Sequence, residues 1–302
     1  MSEFRAWAAQ AWLELLFWNA AHLPIVPRML KPVVLFLTWH VSGPVRRGTV
    51  ANAGRILGEG STMAARRRLG RGVLRSYYDS ALDYAANRRK TPEEIRARIE
   101  HVEGTERYER ARSLKRGAIL VTAHLGPFET AVSSVRAREA RVHVVFRRDP
   151  SPVFERLRAE QRARLGVLEA PVDDGLAMWF RLRDALRDDE VVLMQGDRTM
   201  PGQRGVEMAF LHGHIEIPMG PIKLAALSGA PIVPTFAVWT KDRGVRILIC
   251  EPILVGSGEG CVCAEVAAGR VAERIAEVVR QYPEQWMVLE KAWVEDRRES
   301  RD

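Results

Sequence analysis

Short apolar segments separated by helix-length amphipathic segments recur along the C-terminal part of this 302-residue chain. Strands separated by helices in this way are typical of a largely parallel sheet that is covered by helices on both faces. We therefore predict an α/β core with an α-helical N-terminal extension. The predicted strands are Gly117–Ala123, Val142–Phe146, Val191–Met194, Pro231–Trp239 and Val245–Ile249. Helices are predicted near residues 127–139, 151–164, 175–187 and 220–228, and from Ala264 to Arg280.

The first 45 residues differ from this core because they are rich in tryptophan and other apolar residues. One helical face is apolar and comprises Phe4, Trp7, Ala8, Ala11, Trp12, Leu15 and Leu16. The segment from Leu23 to Trp39 is also apolar but is interrupted by prolines. Such a helix either packs on the core or lies in a membrane interface, and the adjoining apolar segment favours the membrane. No stretch reaches the ~18 consecutive apolar residues of a membrane-spanning helix.

Composition divides the chain into four parts. Residues 1–45 are predicted to be a membrane-associating segment and residues 46–113 a helical subregion. Residues 114–295 are predicted to form the α/β core, and residues 296–302 a charged tail. The cysteines add no small zinc or disulfide domain, because Cys250, Cys261 and Cys263 form neither a CxxC pair nor an even framework.

Basic residues exceed acidic residues, 46 to 38, and the formal net charge is +8. The excess is concentrated between Arg46 and Arg75, where the one acidic residue is Glu59. The forked guanidinium group binds phosphate and carboxylate, which favours an anionic partner such as nucleic acid, anionic lipid or an acidic carrier protein. The alternative is that this stretch is an ordinary solvated helix face.

The most informative chemical feature is a histidine at the end of a buried strand. His124 follows the strand that ends at Ala123, Gly126 and Pro127 turn the chain, and Glu129 begins the next helix. Open α/β sheets bind ligands at the carboxyl ends of their strands. A carboxylate that accepts the imidazole Nδ1–H leaves Nε2 free as a general base. We predict that Glu129 orients His124, and that the substrate supplies the nucleophile because no serine accompanies the pair.

Five segments in series carry a wider resemblance. They are His124-x4-Glu129, Val145–Pro152, Leu193–Arg198, the block from Phe210 to Pro234, and Tyr282–Trp286. In this order the chain resembles the late acyltransferases of lipid A biosynthesis, which belong to the lysophospholipid acyltransferase superfamily. Phosphatidylinositol mannoside acyltransferases share that architecture. Asp197-Arg198 stands where typical lipid A enzymes have paired acids, so a lipid A-like acceptor and another membrane glycolipid both stay open.

The resemblance implies an O-acyltransferase that moves a fatty acyl chain from acyl-ACP or acyl-CoA to a hydroxyl of a lipid or glycolipid. His124 is the implied general base. The implied substrate-binding residues are Gly126, Phe128, Arg147, Arg148, Asp197, Arg198, Gly220 and Pro221. The candidate oxyanion donors are the backbone N–H groups near Gly126 and Phe128, or the guanidinium of Arg147.

The resemblance also implies a location at the cytoplasmic face of a bacterial inner membrane. The N-terminal segment is then the membrane contact, and no nucleic-acid partner is expected. No cofactor or metal is expected either. His212 and His214 share a face at strand spacing, but no convincing third ligand accompanies them.

Several alternatives stay open from the residues themselves, and one of them is a non-catalytic protein that binds anionic lipid or nucleic acid through its excess of arginine. Asp197 and Arg198 form either part of the site or a structural ion pair. Arg147 and Arg148 are either substrate contacts or an exposed pair at a strand end. A thioesterase or lipase would use the His–Glu pair on water, although the sequence contains no Gly-x-Ser-x-Gly elbow.

Overall fold

The computed structural model describes residues 25–149, 151–199, 203 and 205–298, so the Trp-rich helical face before Ile25 lies outside the described residues. The strands are β1 (Ile99–Glu103), β2 (Ala118–Thr122), β3 (Val142–Phe146), β4 (Leu168–Pro171), β5 (Val191–Gln195), β6 (Gly205–Ala209), β7 (His214–Pro218), β8 (Ile232–Trp239), β9 (Val245–Ile249), β10 (Leu254–Val255) and β11 (Cys261–Val262). The helices are α1 (Ile25–Val41), α2 (Gly43–Leu57), α3 (Met63–Asn87), α4 (Pro92–Arg96), α5 (Thr105–Ser113), α6 (Phe128–Arg138), α7 (Pro152–Leu165), α8 (Leu176–Arg187), α9 (Gly220–Ser228), α10 (Ala264–Gln281) and α11 (Val294–Arg298).

The central sheet has seven strands in the order β1-β9-β8-β2-β5-β3-β4. The five strands from β8 to β4 are parallel to their neighbours. Strand β9 is antiparallel to β8, and β1 pairs parallel with β9. The predicted largely parallel sheet is therefore confirmed, and two strands at one edge run in the opposite direction.

Alternate residues of β2 point into two separate apolar cores. Ile119 and Val121 belong to a core that includes residues of α8, α9 and α10. Ala118 and Leu120 belong to a core that includes residues of α5 and α6. Each large apolar side chain buried in these cores contributes about 1.5–3 kcal/mol. Helices therefore cover both faces of the sheet, as the sequence predicts.

Several short strands are not indicated by the sequence pattern. Strand β1 lies inside residues 46–113, for which a helical subregion is expected, and it pairs with β9. Its residues at positions 100, 101 and 103 are polar and exposed, because this strand forms the edge of the sheet. Strand β4 forms the opposite edge, and β6 and β7 form a separate antiparallel hairpin. Edge strands bury little surface, so their hydrophobic pattern is weak.

The apolar segment after residue 24 forms one continuous helix, α1, despite its prolines. Pro27 lies in the first turn, where backbone N–H groups have no acceptor within the helix, and Pro32 lies inside the helix. Contacts with α3 hold α1 in place: Lys31 pairs with Asp79 at 2.6 Å, and the Tyr78 hydroxyl donates to the Pro27 carbonyl at 2.8 Å. Among the described residues, no helix is both long and apolar enough to cross a bilayer.

Candidate active site

Two neighbouring parallel strands place His124 beside Asp197. Thr122 of β2 is in register with Gln195 of β5. His124 follows Thr122 by two residues, and Asp197 follows Gln195 by two residues. The Gly196 N–H donates to the Thr122 carbonyl at 2.8 Å and extends this pairing beyond the strands. Because the carboxyl ends of parallel strands lie at one edge of the sheet, the two side chains meet there.

The carboxylate of Asp197 is 1% exposed and accepts three hydrogen bonds. His124 Nδ1 lies 2.8 Å from Oδ1, and the His124 backbone N–H donates to Oδ2 at 3.0 Å. The indole N–H of Trp286 donates to Oδ2 at 2.9 Å. An ionised carboxylate only accepts hydrogen bonds, so the proton of the neutral imidazole lies on Nδ1 and Nε2 carries the lone pair.

Burial alone would raise the pKa of Asp197. The adjacent His124 and the hydrogen bonds that this residue and Trp286 donate outweigh burial and hold the pKa of the carboxyl below its ordinary value. Asp197 is therefore ionised at neutral pH. Its charge holds the imidazole ring in this orientation and would stabilise an imidazolium if Nε2 took a proton.

Glu129 does not occupy the position beside His124 that the sequence analysis assigns to it. Within the described part of the chain, no hydrogen bond joins these two side chains, and Asp197 takes the Nδ1 position instead. Glu129 lies in the first turn of α6 and lines a cavity that opens beside His124 and is described below. Burial, with a smaller contribution from Asp83, raises the pKa of Glu129 to about 7, although the hydrogen bond from its own backbone N–H and the charges of Arg158 and Arg98 act in the opposite direction. The expected His124–Glu129 contact is therefore wrong.

The turn after His124 is held by a close approach to β8. Gly126 has φ +61°, and a Cβ on it would lie 2.0 Å from the Ala237 carbonyl oxygen. Its N–H donates to the Gln285 carbonyl at 3.3 Å, and the Phe128 N–H donates to the Gly126 carbonyl at 3.1 Å. These two N–H groups are therefore occupied, which corrects the expectation that they serve as oxyanion donors.

The guanidinium of Arg198 contacts the second ring nitrogen of His124, Nε2. Its Nη2 lies 3.1 Å from Nε2, and its Nη1 pairs with Glu290 at 2.7 Å. Guanidinium groups only donate, so this contact also requires that Nε2 accept. Asp197 and Arg198 thus contact the two ring nitrogens of His124 from opposite sides. Asp197 pairs with His124, and Arg198 pairs with Glu290. The two side chains therefore do not form the ion pair with each other that the sequence analysis considers as an alternative.

Arg147 and Arg148 lie at the end of β3, outside the lining of the cavity. Arg147 Nε is 4.0 Å from Asp173, and Arg148 Nη2 is 2.9 Å from Asp174. The hydrogen bond with Asp174 raises the pKa of Arg148. The geometry places both residues in exposed ion pairs, and substrate binding by them stays a prediction.

The remaining sequence candidates lie away from His124. Gly220 and Pro221 begin α9, and a Cβ on Gly220 would lie 2.7 Å from the Trp179 ring. His212 Nδ1 lies 2.9 Å from the Arg55 carbonyl oxygen. His214 pairs with Glu295 at 2.9 Å. Within the ranges that the structure describes, no cluster of three or more His, Cys, Asp or Glu side chains is arranged to hold a metal ion.

A cavity of about 420 Å³ opens beside His124. It is lined by residues of α3, α6, α7 and β3. The apolar lining includes Val132, Val144, Phe146, Leu165 and Val167. His124, Glu129 and Arg198 also line the cavity, so the reactive nitrogen adjoins a mainly apolar chamber.

The segment after α10 completes the site and is the part that the sequence reasoning missed. Trp286 donates to Asp197, and the Met287 N–H donates to the His124 carbonyl at 2.8 Å. The Gln285 side chain bonds to both backbone groups of Trp239 on β8. The resemblance of Tyr282–Trp286 to a family motif is the signal that points to this segment, but its partners follow only from the fold.

The chain is similar to known proteins along most of its length. A family model described as bacterial lipid A biosynthesis acyltransferase matches residues 4–295. A phosphatidylinositol mannoside acyltransferase of Mycobacterium tuberculosis is 29% identical over 187 residues, which are 61% of this chain and 57% of that protein. The protein of the same name in Mycolicibacterium smegmatis is 28% identical over 183 residues, or 60% of this chain and 58% of that protein. The chain thus matches less than two thirds of the length of these relatives.

We expect Glu129→Gln to change how stability depends on pH. The ordinary pKa of a glutamate side chain is 4.5, and below this pH Glu129 is neutral in both the folded and the unfolded chain. Between pH 4.5 and about 7 the unfolded chain ionises this carboxyl and the folded chain does not, so the folded state loses up to about 3 kcal/mol of stability by pH 7. Glu129→Gln abolishes this loss, so its stability advantage over the wild type should grow from about pH 4.5 to pH 7 and stay constant above that pH.

Urea unfolding at a series of pH values measures this advantage. Glu265→Gln is the matched control, because Glu265 also lies in the first turn of a helix, α10, but is exposed. A pH profile of Glu129→Gln parallel to that of the wild type would contradict the assignment of Glu129 as a buried carboxyl that titrates near neutrality.

Proposed function

The chain belongs to the bacterial lipid A biosynthesis acyltransferase family, and we propose that it transfers a fatty acyl chain from an acyl thioester to a hydroxyl of a lipid or glycolipid. The observation that carries the proposal is the pairing of His124 with the buried carboxylate of Asp197. This pairing leaves Nε2 as a base at the mouth of an apolar cavity. No protein nucleophile is needed, because the acceptor hydroxyl is the nucleophile.

The reaction uses His124 first as a base and then as an acid. Nε2 takes the proton of the acceptor hydroxyl while the oxygen attacks the carbonyl carbon of the thioester. The carbon–sulfur bond breaks as the tetrahedral intermediate collapses, and the imidazolium gives its proton to the departing thiolate. The products are an ester and a free thiol. Asp197 stays ionised throughout and stabilises the imidazolium.

Arg198 is the proposed donor to the oxyanion of the intermediate. Its guanidinium already lies 3.1 Å from Nε2, and the attacked carbonyl must lie close to that nitrogen. The acceptor hydroxyl replaces Arg198 as the partner of Nε2, which frees the guanidinium for the developing negative charge. The loss of one such donor typically lowers the rate ~10²–10³-fold.

The cavity between α3 and α7 is the proposed site of the acyl chain. Its lining by valine, leucine and phenylalanine side chains suits a hydrocarbon chain, whose burial is favoured by about 0.8 kcal/mol for each methylene. We propose acyl-ACP or acyl-CoA as the donor. The acceptor is a membrane lipid or glycolipid, in line with the names of the family and of the mycobacterial relatives.

Helix α1 is the proposed membrane contact. Met29 is 73% exposed and Phe36 is 62% exposed, and Ile25, Val33 and Val41 are also exposed. Exposed apolar residues along one helix are typical of helices that lie in a membrane interface. We propose that the membrane bound in this way is the cytoplasmic face of a bacterial inner membrane.

Arginines of α3 flank this apolar helix. The guanidinium of Arg71 lies 5.2 Å from the ring centre of Trp39 near the end of α1, and Arg67, Arg68 and Arg75 are exposed on the same helix. Basic residues beside an apolar helix strengthen binding to anionic lipid by about 1 kcal/mol each. Because α3 also forms a wall of the cavity, membrane contact through α1 brings the cavity close to the lipid acceptor.

The chemical proposal predicts a clear order of kinetic losses. His124→Ala should lower kcat at least ~10²-fold, because general-base catalysis contributes ~10²–10⁴-fold. Asp197→Asn should lower kcat by a similar factor, because an amide does not stabilise the imidazolium. Glu129→Gln should lower kcat by a smaller factor, since Glu129 does not hydrogen-bond to the imidazole of His124. Formation of ester from labelled palmitoyl-CoA, with lipid A precursors and phosphatidylinositol mannosides as acceptors, measures these rates.

Two outcomes would contradict the chemical proposal. A folded His124→Ala protein that kept more than about a tenth of the wild-type kcat would exclude His124 as the base. Equal thioester cleavage with and without any acceptor would indicate a hydrolase that uses the same pair on water. Circular dichroism of each variant is the check that the fold is retained.

The membrane proposal predicts that α1 controls binding to vesicles. The triple variant Met29→Ser, Val33→Ser, Phe36→Ser should bind vesicles of phosphatidylglycerol and phosphatidylethanolamine at least about tenfold more weakly, because three apolar anchors are lost. Its kcat on a short, soluble acceptor should stay near that of the wild type. Flotation of the full-length protein measures the binding.

The matched control is Leu227→Ser with Val266→Ser, which removes exposed apolar residues from α9 and α10. This control should float like the wild type. If the α1 variant also floated like the wild type, the membrane contact would lie outside α1.

A further inference from the structure

The cavity beside His124 contains a polar side chain that has no hydrogen-bond partner. Gln161 lies on the face of α7 that lines the cavity, and it is 2% exposed. Neither its amide nitrogen nor its amide oxygen makes a hydrogen bond with any of the described residues. A buried amide without partners destabilises the protein that contains it, so the group points to a ligand.

The charged neighbours of Gln161 on α7 are already paired with carboxylates. Arg162 contacts Glu155 at 2.5 Å and Glu169 at 2.7 Å, and its guanidinium stacks on the Phe146 ring at 3.7 Å. Arg158 lies 3.5 Å from Asp149. Because these guanidinium groups are neutralised, the polar part of the cavity suits an uncharged oxygen group better than a phosphate or carboxylate.

The amide of Gln161 offers both a donor and an acceptor at one point of the cavity wall. A carbonyl or ether oxygen would satisfy only the amide N–H groups, whereas a hydroxyl satisfies both sides. The surrounding lining, which includes Val144, Leu165 and Val167, is apolar and buried. The matching ligand is therefore a hydrocarbon chain that bears a hydroxyl group.

We propose that Gln161 is a specificity residue that binds a hydroxyl on the acyl chain, so that the enzyme prefers hydroxyacyl donors to unsubstituted donors of the same length. The chain hydroxyl donates to the amide oxygen Oε1 and accepts from the amide nitrogen Nε2 of Gln161. This inference rests on the proposed acyl transfer and on the cavity as the acyl site. Sites built to hydrogen-bond a substrate hydroxyl discriminate strongly against analogues that lack it.

Glu129 adds a second polar group to the same cavity. Tyr84 is a third, and its hydroxyl donates to the Leu157 carbonyl at 3.3 Å, which leaves its oxygen lone pairs as acceptors. Glu129 and Tyr84 thus add polar atoms to a cavity lining that is otherwise mainly apolar. Gln161 is distinguished from them because it alone of the three is buried with both polar atoms unpaired.

The test compares the wild type with Gln161→Met, which keeps the length of the side chain and removes both hydrogen-bonding atoms. The donors are acyl-CoA thioesters of one chain length, either unsubstituted or bearing one hydroxyl at successive carbons. We expect at least one hydroxyacyl isomer to exceed the unsubstituted donor about tenfold in kcat/KM with the wild type. Gln161→Met should lose this preference and accept the unsubstituted donor at least as well as the wild type does.

Competition of the matching free fatty acids against a fluorescent fatty acid supplies a readout that does not depend on turnover. One outcome is that the wild type turns over no donor and yet binds the hydroxy fatty acid more tightly than the unsubstituted acid, with this difference lost in Gln161→Met. That result would contradict the proposed acyl transfer and support the hydroxyl-binding role of Gln161. A wild type without preference for any isomer, or a preference that persists in Gln161→Met, would overturn the inference.

Two further variants separate specificity from folding. Gln161→Leu should behave like Gln161→Met, and both should melt at or above the wild-type temperature, because they remove an unpaired buried amide. Gln281→Met changes an exposed glutamine at the end of α10 and should keep the wild-type preference. Loss of the preference in this control as well would count against Gln161 as its source.

Discussion

The carboxylate of Asp197, buried with three hydrogen bonds donated to it, is the interaction on which the rest of the site depends. Burying an ionised carboxylate is very costly unless it is paired and fully hydrogen-bonded. Here the partners come from separate parts of the chain: His124 follows β2, and Trp286 follows α10. The folding of the sheet and the docking of the C-terminal segment are thus coupled to the orientation of one imidazole.

Two glycines allow the backbones to come close enough for this arrangement. Gly126 turns the chain against β8 in a conformation, with φ at +61°, that favours glycine. A Cβ on Gly196, between β5 and Asp197, would lie 2.5 Å from a methyl group of Val121. Small residues at these points let the β2 and β5 strand ends stay in register up to His124 and Asp197.

Helix α3 connects the chemistry to the proposed membrane surface. One side of it holds α1 through Asp79 and Tyr78, and another side lines the cavity through Tyr77, Ala81 and Tyr84. A single helix thus separates the exposed apolar residues of α1 from the chamber beside His124. In the proposed function, a donor chain and a lipid acceptor would therefore approach the same imidazole nitrogen from a bilayer.

The sequence predicts most of the core, because strands that are buried along their whole length, such as β2 and β8, consist almost entirely of apolar residues. It also predicts His124 as the reactive group from its place at a strand end. It does not predict the orienting carboxylate, because Glu129 is near in sequence whereas Asp197 is near only through the pairing of β2 with β5. Local spacing describes contacts along one segment, and strand order is needed for contacts between segments.

The proposed chemistry depends on the tautomer of His124, which nitrogen NMR measures directly. In two-bond ¹H–¹⁵N spectra, the His124 ring is identified among the seven histidines by its absence from His124→Ala. We predict that the neutral ring carries its proton on Nδ1 in the wild type and in Glu129→Gln, and that Asp197→Asn shifts protonation toward Nε2. A tautomer that changed in Glu129→Gln and stayed unchanged in Asp197→Asn would contradict the central claim that Asp197 orients the catalytic base.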